Sequence, residues 1–267
     1  MAFNHEKLKV YQRALPFNRK VGLWVGQWDS RHAVCDQLSR AAGSMLENIA
    51  VASASCSAMK RRCLDYAVGT TLECAACLDL ARIKQLLDAK LVASEKEDLS
   101  EILRMLVGLR RAWSRSPQVL KEGRVEYGEA SATGPDDAVC DKAHDKACGE
   151  DVLFHHETLD VYRVAIEVAT AFCSSESVCR LADTQFRRLD ELLTSMVLNI
   201  AEGNGRFSDA DQQRFLGTSH EAAIKMAARL DLYVIQDLLP HSEVEGWKPL
   251  LERVSAMTFS MAGVYQR

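Results

Sequence analysis

The amino-acid sequence predicts an all-α protein made of two tandem antiparallel up-down four-helix bundles joined by a flexible acidic linker. Three observations support this prediction. The chain repeats itself at a shift of 151 residues, its apolar residues recur at helical spacing, and its 267 residues include only 5 prolines and 14 glycines. So few helix-breaking residues favour long helices over a β fold with many turns.

The repeat is clearest at the start of each half. The segment FNHEKLKVYQRA (residues 3–14) aligns with FHHETLDVYRVA (residues 154–165) at a shift of 151 residues. Further along, LDL at residues 78–80 aligns with LDL at residues 230–232 at a shift of 152. A slippage of one residue over most of a half indicates a tandem duplication.

Composition divides the chain into three parts. Residues 1–115 contain 18 Lys/Arg and 12 Asp/Glu, a net charge of +6, and residues 152–267 contain 11 and 16, a net charge of −5. The intervening residues 116–151 contain 4 and 9, also −5, and are rich in glycine and proline. We therefore predict two bundles, the first of them basic, and an exposed, partly disordered acidic linker between them.

Four helices are predicted in each half, because apolar residues recur there at three- and four-residue steps. The predicted helices span residues 6–27, 31–52, 57–91 and 96–114 in the first half, and 157–173, 177–202, 208–238 and 244–265 in the second. Short connections between long amphipathic helices favour antiparallel neighbours.

No catalytic or metal-ligating pattern is evident in the sequence. The cysteine count of 9 is odd, and CAAC at residues 74–77 lies within a predicted helix without a second pair at zinc spacing. We therefore expect reduced thiols that act as small apolar core residues. The Glu-x-x-His pair that di-iron bundles require does not occur in the chain. A non-enzyme with no metal and no cofactor is the prediction.

A membrane partner is not expected either. No apolar run approaches the roughly 18 residues that a membrane-spanning helix needs, and the N-terminal segment MAFNHEKLKV lacks the apolar region of a signal peptide. These features favour a cytoplasmic protein.

A glycine-containing corner, LNIAEGNGRFS (residues 198–208), separates two predicted helices of the second half. Gly203 is predicted to end a helix in a left-handed conformation, and Ser208 to cap the next helix with Asp211 in a capping box. The segment lacks the preceding strand and the lysine of a phosphate-binding loop, so a structural role is favoured, although Arg206 could form a salt bridge or contact an anion. The residues assigned to this structural corner are Asn199, Glu202, Gly203, Gly205, Arg206 and Ser208.

Asn48 and Asn199 occupy equivalent positions on otherwise apolar helical faces. A buried polar side chain must find a hydrogen-bond partner, so each is predicted to be a buried polar residue that fixes helix register within its bundle. A ligand contact is the alternative.

The pattern of residues 154–165, followed by NIAEGNGRFS (199–208) and RFL (214–216), resembles a bacterial four-helix-bundle family. This family includes the proteins encoded in intervening sequences of 23S ribosomal RNA genes. It also includes the accessory variability determinant of diversity-generating retroelements, which associates with a reverse transcriptase and RNA. The resemblance therefore implies a helical bundle and RNA or protein partners.

The resemblance covers nearly all of the second half and is looser in the first. The first half shares residues 3–14, 48–50 and 66–73 with the pattern, but it has lost the glycines and the arginine of the corner. Ordinary members of the family are single bundles, so a fused pair departs from the family pattern.

Two basic clusters in the first half are candidate RNA contacts, one at the start of the third helix and one at the end of the fourth. In an up-down bundle these two positions lie at the same end, so the clusters should meet. Trp113 could stack on bases there. The alternative is that the charges only solvate the helix surface. The candidate residues are Lys60, Arg61, Arg62, Arg110, Arg111, Trp113 and Arg115.

Two functions follow from these observations. The first is a non-catalytic accessory protein that binds RNA or a ribonucleoprotein through the basic first bundle. The second is a protein–protein adaptor whose paired bundles dock a larger effector or a reverse-transcriptase-like enzyme. Self-association of the chain is a further option, although the fused repeat could take the place of a dimer.

Overall fold

The computed structural model describes residues 4–114 and 154–264, and all regular structure in these ranges is helical. The all-α prediction is therefore confirmed, while the predicted linker, residues 116–151, lies outside the described residues. The helices of the first half are η1 (Asn4–Lys7), α1 (Lys9–Val25), α2 (Ala33–Ala54), α3 (Ser57–Ile83) and α4 (Ala89–Ser114). Those of the second half are η2 (His155–Thr158), α5 (Asp160–Ser174), α6 (Glu176–Cys179), α7 (Asp183–Asn204), α8 (Asp209–Ile235) and α9 (His241–Val264).

The duplication is visible in the positions of these helices. Helices α3 and α8 are both 27 residues long, and their first residues are 152 positions apart. Each is followed by a residue in the left-handed conformation, Gln85 (φ 57°) and Asp237 (φ 55°), again 152 positions apart. The same backbone conformation thus ends the third long helix of each half.

Helices within each half pack as antiparallel neighbours. Consecutive long helices contact each other, and the first long helix of each half also contacts the last. Arg13 pairs with Asp98 at 2.8 Å and Lys20 pairs with Glu95 at 2.7 Å, so residue numbers rise along α1 as they fall along α4. These contacts are the ones expected of helix neighbours in an up-down bundle.

Helix boundaries differ from the prediction at the end of α3. The predicted helix continues to residue 91, whereas α3 ends at Ile83 and α4 begins at Ala89. The helix stops because Gln85 is left-handed, and no glycine or proline marks that position. In the second half, the segment predicted as one helix over residues 177–202 forms the short helix α6 and the long helix α7.

The two halves pack directly on each other, mainly through α3 and α7. One continuous apolar core includes Leu78 and Leu80 of α3 together with Leu198 of α7. An ion pair between Lys84 and Asp190 also joins the halves, and their side chains are only 1% and 0% exposed. Each charge offsets the desolvation of the other in this buried position.

The CAAC segment lies inside α3. Cys74 and Cys77 are free thiols and fully buried. Burial raises the pKa of both thiols well above the usual range, which keeps them protonated. Among the described helices, none combines the length and the apolar character that crossing a bilayer requires.

Candidate nucleic-acid interface

The start of α3 and the end of α4 lie side by side. Lys60 Nζ lies 4.5 Å from the centroid of the Trp113 ring, and Arg110 Nε donates a hydrogen bond to Asp65 Oδ1 at 2.5 Å. Because α3 and α4 are antiparallel, these contacts bring the two basic clusters together at one end of the first half.

The corner of the second half packs against this same end. The guanidinium carbon of Arg206 lies 4.9 Å from the ring centroid of Tyr66 in α3. The next corner residue, Phe207, places its ring centroid 3.8 Å from the guanidinium carbon of Arg110. The corner is therefore a contact between the halves, a role that the sequence analysis did not predict for it.

A cleft of about 310 Å³ opens between α3 and the corner. Three arginines and two aspartates in its lining give it a net charge of +1. Arg62 is exposed at this cleft, and its Nη2 donates to the Tyr66 hydroxyl at 3.2 Å. The lining residues are Ala58, Arg61, Arg62, Asp65, Tyr66, Arg206 and Asp211.

Two of the predicted RNA contacts are occupied by internal packing. Arg110 lies between Asp65 and Phe207 and is only 6% exposed. It therefore packs against the corner, whereas the sequence predicted an arginine that is accessible to RNA. Burial raises the pKa of Asp65, and Arg110 opposes that shift. Trp113 packs against the core, and Lys60 covers its ring.

The remaining predicted contacts differ in exposure. Arg61 is half-buried in the cleft, whereas Arg62 and Arg111 are exposed. Arg115 lies outside the described residues. The exposed positive charge at this end of the first half therefore includes Arg62 and Arg111.

Comparison with known protein families finds a match in the first half. Residues 6–108 match the model of the 23S rRNA-intervening sequence protein family. The resemblance predicted from the sequence is thus confirmed. The matched residues make up most of the first half, whose motifs were the looser fit, and they include the starts of α3 and α4. No curated protein and no solved structure shows a significant match to the chain.

Within the half that matches the 23S rRNA-intervening sequence protein family, Tyr66 and Gly69 receive the corner. A Cβ at residue 69 would lie 2.8 Å from Arg206 Cζ, so a larger residue there would require this guanidinium to shift. Neither residue is among the site residues predicted from the sequence. The available signal was Gly69 itself, because glycine in a helix interior is destabilising and calls for a packing reason.

The glycines of the corner are also required for space. The sequence predicted a left-handed conformation for Gly203, and this prediction is wrong. Gly203 lies within α7, and no described glycine has a positive φ. A Cβ on Gly203 would lie 3.0 Å from Phe215 Cβ of α8. Gly205 has a φ of −88° and faces Leu72 of α3 so closely that a Cβ would overlap Leu72 Cδ1.

Ser208 is the N-cap residue of α8, but its side chain makes no capping hydrogen bond. The predicted capping box with Asp211 is therefore wrong. Gln212 closes the corner instead, since its Nε2 donates to the carbonyl oxygen of Arg206 at 2.6 Å.

Asn48 and Asn199 are half-buried, whereas the sequence predicted that both would be buried. Asn48 Nδ2 donates to the carbonyl oxygen of Ser44 at 2.8 Å, and Asn199 Nδ2 donates to that of Ser195 at 2.6 Å. Both bonds return to the preceding turn of the same helix, so they satisfy the amide without fixing the register between helices.

Carboxylates from both halves surround Arg206. It forms an ion pair with Glu202, and the two side chains are 4% and 13% exposed. The pKa of Glu73 in α3 is raised to about 8, mainly by burial and to a smaller extent by repulsion from Glu202. Burial also raises the pKa of Glu202, and Arg206 opposes this shift. Arg206 is therefore the counter-charge of Glu202, whereas Arg40 and then Arg206 oppose the rise in the pKa of Glu73.

One group in the described residues, Asp79, His156 and Glu157, has the spacing of a metal site. Lys96 Nζ lies 2.7 Å from Asp79 Oδ1 and 2.6 Å from Glu157 Oε1. The Tyr162 hydroxyl donates to Asp79 Oδ2 at 2.9 Å. The ammonium group of Lys96 therefore lies between the two carboxylates, where a metal ion would have to bind. Asp79, Glu157 and Lys96 form an ion-pair network between the halves.

Proposed function

We propose that this chain is a non-catalytic accessory protein that binds RNA, free or in a ribonucleoprotein, at the cleft between α3 and the corner. The observation that carries the proposal is that Arg61 and Arg62 of one half and Arg206 of the other line one cleft. Arginine is suited to phosphate, because its guanidinium donates parallel hydrogen bonds to phosphate oxygens.

The arginines have different parts in this proposal. Arg206 is only 5% exposed and paired with Glu202, so it contributes positive potential and does not contact the ligand. Tyr66 lies between Arg206 and Arg62, with the Arg62 guanidinium carbon 5.5 Å from its ring centroid. Arg61 and Arg62 are therefore the proposed phosphate contacts, and Lys60 and Arg111 extend the basic surface.

Charge and family support the same ligand class. Residues 1–115 carry a net charge of +6, whereas residues 152–267 carry −5 and disfavour a polyanion. The family whose model matches the first half is named for an intervening sequence of 23S rRNA. Both features favour RNA binding by the first half.

The double charge reversal Arg61→Glu with Arg62→Glu tests the proposal. Binding of a labelled single-stranded RNA is measured by fluorescence anisotropy over a series of salt concentrations. We expect roughly tenfold weaker binding or worse, and a salt-dependence slope smaller by about 1.4, since each lost phosphate contact on a single strand removes about 0.7.

A matched control is the pair Arg82→Glu with Lys90→Glu. Both residues are exposed, and they lie where α3 ends and α4 begins, at the opposite end of the first half. This variant changes the net charge of the same half by the same amount and should bind RNA nearly as the wild type does. Equal losses in both variants would show diffuse attraction in place of a cleft site.

If the wild type binds no RNA, the RNA-binding proposal is wrong and the protein–protein adaptor function is favoured. Recovery of one protein partner after nuclease treatment would then support docking of a larger effector.

A further inference from the structure

We propose that a proton on the Glu73 carboxyl regulates RNA binding at the cleft between α3 and the corner, so that RNA is bound more tightly while Glu73 is neutral. This inference rests on the proposed function, because it concerns the same cleft. It adds a regulatory group that is absent from the cleft lining itself.

Glu73 lies next to the part of α3 that receives the corner. It is one helical turn beyond Gly69, so the two residues share a face of α3. Arg206 packs over Gly69, since a Cβ there would be 2.8 Å from Arg206 Cζ, and Arg206 also lines the cleft. Along α3, the residues of the cleft, the contact with Arg206 and Glu73 therefore follow each other in that order.

The cations near Glu73 are already paired with other carboxylates. Arg206 forms an ion pair with Glu202. On α2, Arg40 pairs with Asp36 at 3.0 Å. Glu73 therefore has no cation of its own. The groups that face it are Glu202 of α7, Arg206 of the corner, Arg40 of α2, and the thiols of Cys74 and Cys77 in α3 itself.

A carboxyl in this setting changes its charge close to neutral pH. Glu73 is half-buried, and its pKa is raised to about 8, mainly by the loss of hydration and further by repulsion from Glu202. While Glu73 is neutral, Glu202 and Arg206 give the cluster a net charge of zero. When Glu73 ionises, the net charge of the same three residues becomes −1. An ordinary exposed glutamate is fully ionised at neutral pH and undergoes no such change there.

This change of charge opposes a polyanion in the cleft. Arg206 contributes positive potential to the cleft, whose lining has a net charge of +1. An ionised Glu73 adds a negative charge beside Arg206 and reduces that potential. At low ionic strength, repulsion between two unit charges roughly 10 Å apart corresponds to at least about a twofold change in affinity, even with the dielectric constant of water.

Thermodynamic linkage makes the effect reciprocal. If a proton on Glu73 strengthens RNA binding, bound RNA must raise the pKa of Glu73 by an equivalent amount. Complex formation near pH 8 must then take up a fraction of a proton from the buffer. A Glu73 side chain with only a structural role would give no such uptake.

The first measurement is fluorescence anisotropy of a labelled oligoadenylate at low salt, at about pH 6.5 and about pH 9. Adenine does not titrate over this interval, so the RNA keeps the same charge. Glu73→Gln remains neutral at both pH values. Its affinity should equal that of the wild type at the lower pH and exceed it at least about twofold at the higher pH.

Glu97→Gln is the matched control, because it removes the same charge from an exposed position on α4. The ratio of its affinity to that of the wild type should be the same at both pH values. The second measurement is calorimetry near pH 8 in two buffers with different heats of ionisation. The wild type should take up protons on binding RNA, and Glu73→Gln should take up fewer. Circular dichroism at both pH values should show the same helix content in all three proteins.

The outcomes separate this inference from the proposed function. A wild type that binds no RNA at either pH would overturn both. If the wild type binds RNA but its affinity relative to Glu73→Gln does not depend on pH, only the regulation by Glu73 is overturned. Equal proton uptake by these two proteins would overturn it as well.

Discussion

Arg206 of the second half lies over Gly69 of the first half, so closely that a Cβ at residue 69 would be 2.8 Å from Arg206 Cζ. The guanidinium is enclosed by the rings of Tyr66 and Phe215 and is paired with Glu202. The glycine in α3 therefore provides the space for a buried cation, and the corner of one half is completed by a helix of the other.

Arg206→Met should destabilise the protein more at alkaline than at acidic pH. Removing one partner of a buried ion pair costs about 3–5 kcal/mol, because the other charge remains buried. Here the charge left behind is on Glu202, with Glu73 nearby, and at low pH both carboxyls take up protons. Urea unfolding at about pH 5 and about pH 8 measures the difference. Adding Glu202→Gln should restore part of the alkaline loss, and equal losses at both pH values would contradict the assigned role.

Gly203→Val should lower the free energy of unfolding by about 1–3 kcal/mol, as overpacking in a filled core does. A Cβ there would lie 3.0 Å from Phe215 Cβ, which is attached directly to the backbone of α8, so the two helices must separate. Gly217→Val is the matched control in α8, since a Cβ at residue 217 meets nothing within 4 Å. We expect the control to change stability by less than about 0.5 kcal/mol. Equal effects in urea titrations would show that close approach is not the reason for Gly203.

Local patterns predicted the helices and the repeat, because helical periodicity and recurring segments depend only on nearby residues. The end of α3 was missed for a physical reason. The left-handed residue there is Gln85, and its counterpart is Asp237, whereas sequence analysis expects glycine at such positions. The expected left-handed glycine, Gly203, is helical instead.

The contact between the halves could not be read from periodicity. Leu80 and Leu232 are leucines at equivalent positions of the repeat, yet they are 0% and 38% exposed. A helical pattern identifies an apolar face but not which helix covers it. The same limit applies to the candidate site: Arg110 and Arg111 are adjacent arginines, and only the positions of Asp65 and Phe207 show that the first is buried.

Glu73→Gln should remove a decline in stability that the wild type shows between about pH 4.5 and about pH 8. Because the pKa of Glu73 is raised to about 8 from the usual 4.5, the folded state retains a proton that the unfolded chain releases. This contribution to stability is complete below about pH 4.5 and is lost as the pH rises through about 8. Glutamine stays neutral, so the variant should gain stability relative to the wild type over this interval.

Urea unfolding at several pH values measures this gain, with Glu97→Gln as the control. Glu97 is exposed on α4, so its replacement should not reproduce the gain that Glu73→Gln gives between about pH 4.5 and about pH 8. If the two variants follow the same pH dependence, the proton on Glu73 is not its source.

Lys84→Met should destabilise the protein by about 3–5 kcal/mol, because Asp190 would be left fully buried between the halves without its counter-charge. Lys84→Met combined with Asp190→Asn should recover most of this loss. The asparagine oxygen still accepts the hydrogen bond that the Ala33 amide donates to Asp190 at 2.8 Å, and no charge remains unpaired. Urea unfolding of the two variants decides between two origins of the effect. Recovery in the double variant means that the loss arises from an uncompensated charge, whereas equal losses mean that attraction between Lys84 and Asp190 itself holds α3 against α7.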